Sequence, residues 1–164
     1  MIVKVFKILL KFVIFILVYL LQIYAINNVN FFGVNGDLCL MAVVITSLID
    51  KNITAYFTAV LCGITSDLLF SPNVLKYVVI YVIVTAILIE LKKIYKQDSK
   101  LSIIIFSITA SVISEIIMAI FMIVTKLEFV NVFSYVFNVL KLCIINVFLA
   151  YIVYLALKKC KQEE

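Results

Sequence analysis

At 164 residues the chain has the length of one domain, and 66% of it is hydrophobic while only 14% is charged. An ordinary soluble domain carries roughly 45–50% and about 25%, and one of about 150 residues hides only about 70% of the surface its chain exposes. So much apolar surface predicts an integral membrane protein; the same composition excludes disorder, and three glycines with one proline exclude a collagen-like or loop-rich chain.

Charge and reactive residue types narrow the chemistry. There is no histidine, so the commonest general base and metal ligand is missing and a Ser–His mechanism is impossible. Cys39, Cys62, Cys143 and Cys160 form no Cys-x-x-Cys pair and read as small hydrophobes. The net charge of +5 comes from 14 lysines beside apolar stretches, which points to membrane lipid rather than nucleic acid as the partner.

Apolar runs predict six spans, at 5–26, 37–49, 53–70, 72–91, 101–125 and 132–157, within one all-α polytopic membrane domain over 1–164. In the first, Lys4, Lys7 and Lys11 share a helical face suited to anionic headgroups, at about 1 kcal/mol per lysine. Its apolar run exceeds a signal-peptide core and no small-x-small site follows, so an uncleaved helix is expected. The second span is short. It either begins earlier, at Phe31, or forms a tilted hairpin with the third through Asp50-Lys51-Asn52. Asp37, after Asn35-Gly36, is placed to cap its first N–H groups.

The third span carries Ala59-x-x-x-Gly63-x-x-x-Asp67, a stripe of small residues that permits close helix approach. Its last member, Asp67, opposes the macrodipole at a helix C-terminus and needs a donor, from Lys76 or from the start of the fourth span. Ser71 and Pro72 are expected to open that fourth span as N-cap and first helical residue. Glu90 closes it amid Lys92 and Lys93.

In the last two spans Glu115 and Lys141 both fall roughly 14–15 Å deep at 1.5 Å per residue. A charge at that depth is a functional candidate by default. The two are expected to approach each other, either as an ion pair orienting the helices or as the wall of a solvated pocket or ion path. Ser107, Ser111 and Ser114 share the spacing of Ser134, Asn138 and Lys141, so two facing polar stripes are expected.

Six crossings from a cytoplasmic N-terminus put eleven lysines inside and only Lys76 and Lys126 outside, which predicts both termini in the cytoplasm. With no tryptophan, tyrosines supply the interfacial belts: Tyr24, Tyr77 and Tyr135 outside, Tyr56, Tyr95 and Tyr154 inside. Asp37, Asp67 and Lys76 then form an outer-face acidic pair with a neighbouring cation.

Six spans in a chain of this length, the turn Gly36-Asp37-Leu38, a third span ending Gly63-Ile64-Thr65-Ser66-Asp67-Leu68-Leu69 and a lysine-rich loop after the fourth resemble the rod shape-determining protein MreD family. The likeness is most specific over 32–93. That family commonly has proline before the first acid and glycines after the second, where this chain has Gly36 and Phe70-Ser71-Pro72-Asn73. The resemblance implies a non-enzymatic scaffold of the bacterial inner (cytoplasmic) membrane, without cofactor. It would work with MreC, the MreB filament and the RodA–transpeptidase synthase in lateral peptidoglycan growth, and Asp37 and Asp67 are its matching positions.

The alternative is the substrate-binding subunit of an energy-coupling-factor vitamin transporter. Such subunits often present alanines at four-residue spacing on the first helix, where this chain has only Ala25. An enzyme is not expected. Metal-dependent phosphoryl transfer needs clustered acids, and no metal site is read from Asp37 and Asp67 on separate helices. An aspartyl membrane protease would need its acids paired deep in the bilayer.

Overall fold

A computed structural model of the chain describes residues 20–22, 33–70, 75–95, 100–125 and 132–162. Among them are five α-helices and no strand: α1 (Leu38–Ile49), α2 (Asn52–Phe70), α3 (Lys76–Ile94), α4 (Lys100–Val124) and α5 (Val132–Gln162). They answer to the second to sixth predicted spans. Of the first, only Leu20, Leu21 and Gln22 are described, so its lysine face lies outside the described residues.

The shortest helix is the centre of the bundle. α1 packs against all four others, and every residue from Leu38 to Leu48 is buried. Its sequence, LCLMAVVITSLI, is apolar on every side, and a helix hydrophobic all round is one that neighbours must surround. Twelve residues at about 1.5 Å each make about 18 Å, short of the roughly 30 Å of a bilayer's hydrocarbon core. Its two hydroxyls bond backwards, Thr46 Oγ1 to the Ala42 carbonyl at 2.9 Å and Ser47 Oγ to that of Val43 at 2.7 Å. Neither therefore leaves an unsatisfied polar atom in the core.

Polarity in this bundle is inverted relative to a soluble one. Thr58, Ser66, Asp67, Thr85, Ser107 and Asn146 are buried. The outward faces are apolar: on α4 the exposed residues include Ile104, Ile108, Val112, Ile116 and Ile120, spaced four apart. On α5 they include Phe133, Phe137, Leu140, Ile144 and Phe148. Two stretches, Leu101–Val124 and Phe133–Leu155, are long and apolar enough to cross a membrane.

α2 and α3 form the closest pair. Gly63 lies against the backbone of α3: a Cβ there would stand 2.5 Å from Val78 Cα and 2.8 Å from Val78 N. Ala59, one turn earlier on the same stripe, is fully buried. At the far end of this pair Lys92 Nζ donates to the Asp50 carbonyl at 2.8 Å, tying the α1–α2 turn to the end of α3. Beside it Lys93 Nζ meets Glu90 at 2.7 Å with both side chains about two-thirds exposed, an arrangement of little energetic weight.

One helix start differs from its sequence expectation. α3 begins at Lys76, not Pro72, and residues 71–74 lie outside the described residues. Leu75 takes a left-handed conformation, φ 73°, which no α-helix can continue through. The Tyr77 and Val78 amides in the first turn of α3 are satisfied by Asp67 instead of a local side-chain cap.

Candidate functional site

The segment Gly36-Asp37-Leu38 delivers the chain into α1, and its geometry follows from the unpaired N–H groups that any helix start presents. Asp37 is the N-cap: Oδ1 accepts from the Leu40 amide at 2.9 Å, and Oδ2 accepts from the Tyr81 hydroxyl of α3 at 2.6 Å. The flanking backbone is held as firmly. Gln22 Nε2 donates to the Gly36 carbonyl at 3.2 Å, while its Oε1 accepts from Leu38 N at 2.7 Å. Asp37 N donates to Asn146 Oδ1 of α5 at 3.0 Å, and Asn146 Nδ2 donates to Ser111 Oγ of α4 at 2.9 Å. Ser66 Oγ of α2 lies 3.3 Å from the Tyr81 hydroxyl. One turn is thus joined by hydrogen bonds to α3 and α5 and, through Tyr81 and Asn146, to α2 and α4.

Gly36 lets α5 approach this turn closely. A Cβ would meet Leu149 Cδ1 and, at 2.8 Å, Ile145 Cγ2, both on α5.

Asp67 does for α3 what Asp37 does for α1. It sits at the last turn of α2, yet its carboxylate accepts from Tyr77 N at 2.8 Å and Val78 N at 3.1 Å. The start of α3 supplies the donors that a carboxylate at a helix C-terminus needs. Lys76 is turned elsewhere, with Nζ 5.9 Å from the centre of the Tyr77 ring. Asp37 and Asp67 therefore lie at the same end of the bundle, joined through Tyr81 and Ser66, and each closes a different helix start.

Glu115 and Lys141 are not brought together as expected. The Tyr135 hydroxyl, on α5, donates to Glu115 Oε2 and to the Glu115 carbonyl, both at 2.8 Å. Lys141 Nζ instead lies 5.2 Å from the centre of the Phe137 ring, one turn back along its own helix. The facing stripe is also displaced by one residue. Ser134 and Asn138 are exposed, whereas Leu142, Asn146, Leu149 and Val153 are buried. One residue is a rotation of about 100°, enough to turn the expected polar face outward. Ser107 and Ser111 on α4 do face inward, fully buried, and the side chain that meets Ser111 is Asn146.

This pairing gives a direct expectation. In a double-mutant cycle on thermal stability, Glu115→Ala and Tyr135→Phe should couple by about 1.5 kcal/mol, the scale of a hydrogen bond to a charged group. Glu115→Ala and Lys141→Leu should combine additively to within about 0.5 kcal/mol.

Between these groups is a cavity of about 250 Å³, lined by α1, α3, α4, α5, the turn before α1 and Gln22. Asp37, Glu115, Asn146, Gln22, Ser114, Tyr77 and Tyr81 supply its polar wall, and Leu40, Ile80, Met118 and Leu142 its apolar one. Glu115 Oε1 takes no hydrogen bond from the described residues. No group of three or more His, Cys, Asp or Glu side chains is placed to hold a metal among the described residues. Cys39, Cys62 and Cys143 are buried free thiols.

The residues that organise this end and escaped sequence reasoning are Gln22, Tyr81 and Asn146, while Tyr135 reads from the sequence only as part of an interfacial belt. The available signal was polarity alone. Gln22 and Asn146 are uncharged amides inside apolar runs, and a search weighted toward ionisable side chains passes over them.

Comparison with protein-family models, with curated proteins and with solved structures finds no match.

Proposed function

We propose that the chain is a membrane-embedded scaffold, crossing the bilayer six times with both termini in the cytoplasm. The observation that carries the membrane reading is the inverted polarity. Thr58, Ser66, Asp67, Thr85, Ser107, Ser111 and Asn146 are buried, while the exposed faces of α4 and α5 are largely isoleucine, leucine, valine and phenylalanine. Water penalises such a surface, and hydrocarbon tolerates it. Lysine asymmetry sets the orientation. Fusing a periplasm-active phosphatase to either terminus should give inactive enzyme, whereas fusion after residue 73 should give active enzyme; an active terminal fusion overturns the six-crossing reading.

Within that class, the reading is a non-enzymatic inner-membrane subunit of the bacterial cell-elongation machinery, partnered by MreC, the RodA–transpeptidase synthase and the MreB filament. It rests on the resemblance of Gly36-Asp37-Leu38 and of the segment from Gly63 to Leu69 to the MreD family. The geometry is compatible with a scaffold: both acids brace helix starts, so the bundle is a stiff frame whose outward faces are free to engage other helices. Depletion in the source bacterium is the test. Rounded cells with delocalised wall synthesis are expected; retained shape with lost uptake of a vitamin overturns the scaffold in favour of the transporter subunit.

That second reading has one observation of its own. A substrate-binding subunit needs a concave, partly polar pocket, and the space beside Asp37 and Glu115 is lined by both polar and apolar side chains.

A further inference from the structure

The cavity at the Asp37 end is more selective than a packing defect. Its volume of about 250 Å³ is room for about eight waters at roughly 30 Å³ each. That is slightly below the usual range of drug-sized pockets, about 300–1,000 Å³, and fits a small organic molecule.

Among the described residues its wall carries two carboxylates, Asp37 and Glu115, and no lysine. Among the described residues the hydrogen bonds that reach these carboxylates come from neutral donors, such as the Leu40 amide and the Tyr81 and Tyr135 hydroxyls. Such donors leave a carboxylate's charge unpaired, and a cation seated beside it would supply the pairing that neutral donors lack. Glu115 Oε1, which takes no hydrogen bond from the described residues, is placed to receive one.

Tyr77 and Tyr81 stand edge to face, ring centres 6.0 Å apart and planes at 61°, so their π-faces point in different directions. An ammonium group already lies 5.9 Å from the Tyr77 ring centre in the form of Lys76, which is not part of the lining. Tyrosine faces attract cations at this range. The apolar wall of Leu40, Ile80, Met118 and Leu142 suits a hydrocarbon body, where a bare or hydrated metal ion would waste it.

We propose that this cavity is a binding site for a small organic cation, an amine or quaternary ammonium compound. Its charged group lies between Asp37 and Glu115 and its carbon skeleton against the apolar wall. The site does not depend on the scaffold reading, because binding is measured on the purified chain whereas the scaffold is judged by cell shape.

The test uses the full chain in neutral-detergent micelles, titrated calorimetrically with choline, with benzyltrimethylammonium and with dimethylbutanol, the uncharged carbon isostere of choline. At least one cation should bind saturably, and dimethylbutanol should bind about thirtyfold more weakly than choline or not at all. Glu115→Gln keeps an acceptor for Tyr135 and removes the charge; it should weaken cation binding by a similar factor, with Tm as the control for folding. Three results overturn the proposal: no saturable heat with either cation, equal affinity for the isostere, or unchanged affinity in a folded Glu115→Gln variant. Should that variant not fold, the comparison of choline with its isostere on the unaltered protein decides.

Discussion

Gly63→Ala is expected to destabilise the bundle by about 3 kcal/mol, the upper part of the range for forcing extra volume into a close-packed contact. The methyl would stand 2.5 Å from Val78 Cα, 2.8 Å from Val78 N and 2.9 Å from Val78 Cγ2. Two of those atoms are backbone, so no rotamer change relieves the clash and α2 must move away from α3. The damage then spreads. Val78 is also the residue whose amide Asp67 accepts at 3.1 Å, one helical turn beyond Gly63. Parting the helices stretches that bond. Thermal unfolding of the detergent-solubilised protein measures the loss, and an unchanged Tm would mean that the close approach does not exist. Gly36→Ala provides the contrast. The groups it would meet, Leu149 Cδ1 and Ile145 Cγ2, are ends of movable side chains, so about 1 kcal/mol is expected.

Asp67→Ala should cost about as much by a different route. It strips the acceptors from Tyr77 N and Val78 N, and each orphaned amide within the protein costs about 1–3 kcal/mol. A total near 3 kcal/mol is expected. Asp67→Asn should cost about 1 kcal/mol, because its single carbonyl oxygen still accepts one of the two bonds. Hydrogen exchange at Tyr77 and Val78 reads the effect locally: both amides should lose protection in Asp67→Ala before the rest of α3. Combining Asp67→Ala with Gly63→Ala should cost less than the sum of the two, since both act through Val78. Strict additivity would show that the cap and the close approach are independent.

The two acids were legible as residues that matter, and the reason lies in chain-local rules. Asp37 stands where a helix must begin, and Asp67 where a carboxylate is electrostatically out of place unless something answers it. Their partners were less legible. Tyr81 is fully buried and 44 residues from Asp37, and Asn146 is 109 residues away; nothing in local spacing links such positions. The Glu115 pairing failed for a related reason. Depth along a helix follows from counting residues, and it placed Glu115 and Lys141 level. Direction around a helix turns by about 100° per residue, and the sets Ser134, Asn138, Lys141 and Tyr135, Leu142, Asn146 satisfy much the same helical spacing. The apolar surroundings of α5 gave no contrast by which to choose between them.

Composition and periodicity by themselves determined that this chain is helical and apolar, that Asp37 is placed to cap α1, that a short turn joins α1 to α2, and that Ala59 and Gly63 mark a close helix contact. These are properties of single segments, governed by backbone capping, turn chemistry and residue size. Only the tertiary structure decided that the shortest helix is the centre, that the start of α3 and not Lys76 answers Asp67, that Tyr135 takes the place expected of Lys141, and that two carboxylates share one cavity. Each of these depends on the relative rotation of helices, and that rotation is fixed by many side chains packing at once.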